Sequence, residues 1–426
     1  MNYKYRKKNG NKWRRSILRP SLLLMWAIIF TFGSSLMANV DSYCSPAIVA
    51  PVAALTPKNQ KIVEIRAGGT TVINKKPFFP FGFYHVSWES TAEERKSALR
   101  DIAAAGFNTI HASATNIDDY GDFLDEAERL GVYVLTEQNS IGLQNLVNAF
   151  KQKPAVLGWS IADDVDNGKW NGDDILKSHQ QAKTADPNHI TYVSGYSNKL
   201  KGFGNCADVI ARQSYPIKGR KPEELPATYS DISEVWEATS KFNRSTYANL
   251  QTYNWQFHPS KKYEGSQAPT FEEVRNMTYQ ALLAGSKGIL YYTYHDSVWH
   301  LPDHPDLWEG VKSLVPELKA ISPLLLEGGF QKIDTKMSNI VAGIWVRENQ
   351  AIAVVVNSNY GKPREVTLEL PIEVREAISM FPGRPSGMSL KGGQLFGLLK
   401  PLEVHVYRLV IRSGLTQTSV TPNRDL

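Results

Sequence analysis

The chain has 426 residues, 42% of them hydrophobic and 21% charged. That is the make-up of a folded protein of more than one ordinary domain, which excludes a disordered or low-complexity chain. The net charge of +6 misleads, because eight Lys and Arg and no acidic residue stand in the first 19 positions and leave the rest of the chain at −2. The basic balance therefore gives no reason to expect a nucleic-acid partner, and no nucleic-acid-binding motif is present. Two cysteines, Cys44 and Cys206, are too few for a disulfide framework or a cysteine-rich metal site.

The basic run precedes the apolar stretch Leu22–Phe32 and then small residues at Gly33–Ser35 and Ala38. That order describes a secretory signal over 1–38, shorter in its apolar part than the ~20 residues of a spanning helix. The expected destination is outside the cytoplasm: secreted, periplasmic or at the cell surface. An uncleaved leader would act instead as an N-terminal membrane tether. Residues 39–60 are rich in Pro and Ala and read as a linker.

From residue 61 to 323 strand-like and helix-like segments alternate, the pattern of parallel βα units. Ile62–Arg66 and Thr71–Ile73 flank a Gly-Gly turn and read as a hairpin. Phe78–Tyr84 reads as the first barrel strand. Thr91-Ala-Glu-Glu94 is a capping box that opens a helix ending at Gly106. Further strands are expected at 108–111, 132–136, 156–162, 190–193, 209–214, 247–251 and 288–293, with helices near 117–130, 142–150, 172–185, 229–241, 269–285 and 305–321. Eight such units in roughly 250 residues describe a (β/α)₈ TIM barrel. No Gly-rich phosphate loop follows the first strand, as an open dinucleotide-binding sheet would require. After Pro323 strands follow one another without helices, so 324–412 reads as a small C-terminal antiparallel β-sandwich. Residues 413–426 read as a disordered tail.

The most informative segment is Ala155–Asp166. An apolar run ends in Asp163, Asp164 and Asp166, as a barrel strand does where its tip enters an active site. Carboxylates are seldom buried unless paired or functional. The other strand ends contribute Tyr84, His85 and Trp88, then His111, then Glu137, then Gln213 and Tyr215, then Gln251, Tyr253 and Trp255, and finally Tyr294, His295 and Asp296. Aromatic rings, amides, imidazoles and carboxylates at one mouth suit a carbohydrate. No cofactor motif and no protein partner is evident. His85, His111, Asp163 and Asp296 could supply metal ligands, but no compact ligand spacing supports this, and no metal is assigned. Competing structural roles are an Asp163–Arg212 ion pair, a core position for His111 and core packing for Trp159.

Lys76–Gly82, Gly106–Ile110, Leu157–Asp164, Pro269–Glu273 and Ala281–Tyr294 together resemble the clan of (β/α)₈ glycoside hydrolases. The resemblance implies a hydrolase of O-glycosidic bonds in a poly- or oligosaccharide. Clan members carry the general acid as Glu at the fourth strand, which corresponds to Asp164 here. They carry the nucleophile as Glu at the seventh, where this chain has Gln251. A retaining pair is therefore incomplete. The base would come from Asp163, Glu137 or Asp296, with Glu264 in reserve, and the wider spacing of an inverting pair, about 6.5–9.5 Å, is the better match. The remaining tip residues would bind or border sugar rings. The alternatives are a carbohydrate-binding barrel without catalysis and a metal-dependent hydrolase.

Overall fold

In a computed structural model of the protein, the described residues are 43–44, 61–86, 91–258, 261–296 and 298–412. Eight parallel strands close into a barrel in chain order, the last pairing with the first. They are β1 (Phe81–Phe83), β2 (Thr109–Ser113), β3 (Tyr133–Glu137), β4 (Val156–Ala162), β5 (Ile190–Gly195), β6 (Val209–Ser214), β7 (Ser245–Gln251) and β8 (Ile289–Tyr292). Every residue of β2, β4, β5, β6 and β7 is buried. Parallel strands have helices on one side and the packed interior on the other, which is why they read as nearly unbroken apolar runs. β1 is shorter than the sequence implies. Pro80 precedes it and has no N–H for the ladder, and a side chain at Gly82 would strike the Thr109 backbone.

The surrounding helices are α1 (Ala92–Ala104), α2 (Ile117–Leu130), α3 (Leu143–Phe150), α4 (Gly172–Ala185), α5 (Ala227–Ser240), α6 (Phe271–Leu283), α7 (Pro305–Lys312) and α8 (Leu314–Glu327). Reciprocal capping boxes start α1, from Thr91 and Glu94, and α6, from Thr270 and Glu273. Gly131, in the left-handed region at φ 73°, ends α2. The crossover from β5 to β6 has only a 3₁₀ segment, Asn198–Phe203, so the eight strand–helix units expected are not all regular. The final helix is two helices, and α8 runs through Pro323 to Glu327. None of the described helices is long and apolar enough to cross a membrane.

Strands at Val63–Ile65, Thr71–Ile73 and Lys76–Pro77 form a small antiparallel sheet. It closes the end of the barrel opposite the strand tips: the Val63 N–H donates to the Asn188 carbonyl at 2.7 Å. Val63 and Ile73 pack with Leu135, Leu157, Ile190 and Val209 in the interior.

Beyond α8 come β9 (Gly329–Ile333), β10 (Ile340–Arg347), β11 (Gln350–Asn357), β12 (Arg364–Glu369), β13 (Val374–Ser379), β14 (Met388–Lys391), β15 (Gln394–Leu399) and β16 (Val404–Ile411). They form two antiparallel sheets, β9-β10-β11-β16-β13 and β12-β15-β14. β11 explains the join to the barrel. Its Ala351, Ala353 and Val355 pack in the core between the sheets, while Ile352, Val354 and Val356 belong to the barrel's helix-side core. A strand buried on both faces needs an uninterrupted apolar run, which 351–356 is.

Polar contacts reinforce the join. Asn276 of α6 donates to the carbonyls of Asn357 (2.9 Å) and Leu402 (3.0 Å). Arg275 donates to the Val404 carbonyl at 2.8 Å and pairs with buried Glu317, which also accepts from Arg384 and Tyr279. Asn276 heads a glycosylation sequon, but its side chain is buried.

Cys44 and Cys206 are joined in a disulfide with Cα atoms 5.7 Å apart. The pair makes a single bridge, not a framework. They stand 162 positions apart, and nothing in their spacing marks them as partners. The Tyr43 N–H donates to the Gly202 carbonyl at 2.8 Å and seats the short segment on the barrel.

Candidate active site

Asp163 and Asp164 follow β4 directly. Asp163 Oδ1 accepts from four donors: the Tyr84 hydroxyl (2.6 Å), the Ser194 hydroxyl, Gln213 Nε2 (3.1 Å) and the Asp164 N–H (2.8 Å). Its Oδ2 faces His85 Nε2 at 3.3 Å. Burial alone would raise this carboxyl, but His85, Ser194 and Tyr84 outweigh it and hold Asp163 well below the usual carboxylate range. The competing reading of Asp163 as an ion-pair partner of Arg212 does not hold, because Arg212 pairs with Asp231 at 2.7 Å.

Asp164 has the opposite environment. Its carboxylate accepts a side-chain hydrogen bond from Gln213 Nε2 at 2.9 Å. Burial, then the charge of Asp163, pushes its carboxyl up to about 6 against the pull of Gln213. Its backbone is left-handed at φ 49°, as is that of His85 at φ 51°. Such conformations are uncommon outside glycine and cluster at functional sites. Here they turn the chain sharply where β1 and β4 reach the mouth.

Adjacent strands supply a second group. His111 of β2 is fully buried and shares a 2.9 Å hydrogen bond through Nε2 with Ser160. Burial lowers it to about 4. Glu137, the last residue of β3, accepts from Ser113. His85 is raised to about 9: burial disfavours the cation, but the hydrogen bond to Asp163 and the charges of Glu137, Asp163 and Asp296 prevail. His85 and His111 have ring centroids 4.9 Å apart.

An aromatic wall stands on the β6–β8 side. Tyr292 stacks on Tyr215 at 5.2 Å and meets Tyr253 edge-on at 5.0 Å. Its hydroxyl donates to Asp296. Trp255 stacks on Tyr263 at 4.5 Å and donates from Nε1 to the Tyr215 carbonyl at 3.0 Å. Tyr196, 47% exposed, follows β5 near Asp164, whose charge raises its hydroxyl after burial does.

Of the residues expected at the mouth, Asp163, Asp164, Tyr84, His85, His111, Glu137, Gln213, Tyr215, Tyr253, Trp255 and Asp296 gather in these groups. Two do not. Gln251 is wholly buried, and its amide is spent on the Ile217 N–H, the Ile217 carbonyl and the Tyr253 carbonyl. It fixes the loop after β6 and has no donor left for a sugar hydroxyl. Tyr294 is buried against Phe83 and Trp308 and donates to Asp101 of α1, on the outer side of the barrel. His295 lies in a two-residue bridge with His300, toward Glu94 of α1. Glu264 is exposed beyond Tyr263. Trp88 lies outside the described residues. Trp159 is in the core, donating to Asp186 at 3.0 Å.

Sequence reasoning missed Tyr292, Tyr196 and the serines. Tyr292 carried a usable signal. Alternation along β8 sends Tyr291 to Thr278 of α6 and Tyr292 to the interior. Ser113, Ser160 and Ser194 carry none, since small hydroxyls occur everywhere.

No protein-family model matches the sequence, and no protein of curated function matches it. Solved structures do. A glycoside hydrolase superposes with a TM-score of 0.59 over 83% of this chain and 98% of its own, at 14% identity. A maltogenic α-amylase from Thermotoga neapolitana gives 0.52 over 78% and 99%, at 11% identity. An α-amylase from Geobacillus thermoleovorans gives 0.52 over 78% and 97%, at 10% identity. The protein therefore has the barrel fold of the glycoside hydrolases, with antiparallel sheets behind it.

Proposed function

We propose that this protein is an exported glycoside hydrolase in which Asp164 is the general acid. One observation carries the reading: a partly exposed carboxyl at the tip of β4, raised to about 6, beside a second carboxylate tied up by its neighbours. A carboxylic acid that keeps its proton near neutrality can deliver it to a departing glycosidic oxygen. Asp163, whose Oδ1 accepts four hydrogen bonds while Oδ2 faces His85, orients the site and does not attack. Asp296, reached by the Tyr292 hydroxyl across the mouth, is the base that draws a proton from water.

With Gln251 locked into the backbone, β7 offers no nucleophile. Water then attacks the anomeric carbon directly and the configuration inverts. Tyr215, Tyr253, Trp255 and Tyr292 border the sugar rings. The Cys44–Cys206 bridge supports export, since disulfides persist in oxidising compartments.

The test is product release from a panel of polysaccharides and oligosaccharides, read by NMR, for the wild type beside Asp164→Asn. Turnover by the wild type alone, with the inverted anomer appearing first, supports the reading. Retention would sink the assignment of water as the attacking group. Saccharide binding without turnover would favour a non-catalytic carbohydrate-binding barrel, for which the lost β7 carboxylate is the argument.

A further inference from the structure

His85, His111 and Glu137 come from three neighbouring strand ends, β1 to β3, and offer donor atoms that all lie within 4.8 Å of one another. Each is already oriented from outside the trio. His85 Nε2 faces Asp163, His111 Nε2 faces Ser160, and Glu137 Oε2 accepts from Ser113. The second nitrogen of each ring, Nδ1, is buried and has no hydrogen-bond partner among the described residues. Leaving a buried polar atom unsatisfied is costly, and native structures seldom do so without a reason. His189 also has a buried ring nitrogen without a partner, but it belongs to no such cluster. Here two stand together with a carboxylate.

We propose that His85, His111 and Glu137 form a binding site for one divalent cation of the zinc type. Two imidazoles and one carboxylate are a ligand set that zinc accepts while keeping a fourth position for water or substrate. Metal-bound histidines almost always engage a carboxylate or another polar group through their other ring nitrogen, which fixes the tautomer and the ring. The Asp163–His85 and Ser160–His111 contacts have that form. Bonds of about 2.0–2.2 Å would draw the three donors closer together. The sequence hides this site because its ligands are 26 positions apart, from 85 to 111 and from 111 to 137, with no compact motif. The inference does not depend on the glycosidase reading, since cation binding is read without turnover.

The experiment uses the full chain, stripped with a chelator, desalted and titrated with Zn²⁺ by calorimetry and with Co²⁺ by visible d–d absorption. The expected result is saturation at one equivalent, with Asp163→Asn weakening binding about 10–100-fold as an outer partner should. His111→Gln and Glu137→Gln should weaken it further and remove the Co²⁺ spectrum. Circular dichroism of each metal-free variant separates lost binding from lost folding. If His111→Gln does not fold, Glu137→Gln, at a less buried position, decides. His179→Gln, remote from the trio, should bind as the wild type does. No saturable uptake, or equal uptake by folded Glu137→Gln, would overturn the site.

Discussion

Asp163 and Asp164 are consecutive residues with opposite surroundings. Four donors converge on one oxygen of Asp163, whereas Asp164 has a single amide and the repulsion of its neighbour. Removing the proton donor with Asp164→Asn should lower turnover by about 10²–10⁴-fold, measured as initial rate on whichever saccharide the wild type cleaves. The pH dependence follows from the raised carboxyl. The acid form predominates below about 6, so kcat/KM should fall as pH rises through that value, and this alkaline limb should be absent from the residual activity of Asp164→Asn. Gln251 makes a complementary case. Gln251→Glu would restore the residue that the clan carries at β7. In this chain it would place a carboxylate against the carbonyls of Ile217 and Tyr253. The expected outcome is a loss of several kcal/mol in stability, seen by chemical denaturation, with no change to a retaining outcome by NMR.

Among the elements, α6 bears the most varied load. Its N-terminal Glu273 caps the helix and binds Arg220 and Tyr360, and nearly every later residue is buried. Two residues on, Arg275 meets Glu317 of α8, which Arg384 also reaches from the loop between β13 and β14. Glu317→Gln should cost about 3–5 kcal/mol, because it leaves two guanidinium groups around a buried site without their countercharge. Thermal unfolding of the variant checks this. The elements also show what could be read beforehand. β4 and β6 occupy the expected residues because strands buried on both faces leave an unbroken apolar signature. β1 does not, because its ends are set by Pro80 and by the close approach of Gly82 to β2, neither of which periodicity registers. The carboxylates at the mouth were legible for the same reason as β4: an apolar strand ended in charge. Tyr294 was misplaced because the chain leaves the barrel after Tyr292, one residue before the expected end of the strand, and turns outward. His85, His111 and Glu137 were legible singly as strand-end residues but not as a trio, since parallel strands bring together residues that the sequence keeps a full βα unit apart.

At the scale of the molecule, two long-range ties matter. The Cys44–Cys206 bridge links positions 162 apart. Reducing it, or replacing both cysteines with serine, should lower stability by about 2–4 kcal/mol, read as a drop in Tm under reducing conditions that the Cys44→Ser, Cys206→Ser protein no longer shows. The second tie is the seating of the C-terminal sheets on α6 and α8. There the alternate side chains of β11 serve two cores, and Asn276 satisfies carbonyls of the far section.

That seating has a consequence for how the chain can be divided. A protease that nicks the turn between α8 and β9 would free no fragment, because the sheets would stay bound through buried contacts without the covalent link. Equally, a shortened gene ending at α8 would remove Val354, Val356 and Val406 from the shared core and leave α6 with bare apolar surface. Recombination could not pass these sheets between barrels as an interchangeable cassette. They are inherited with the helix they cover.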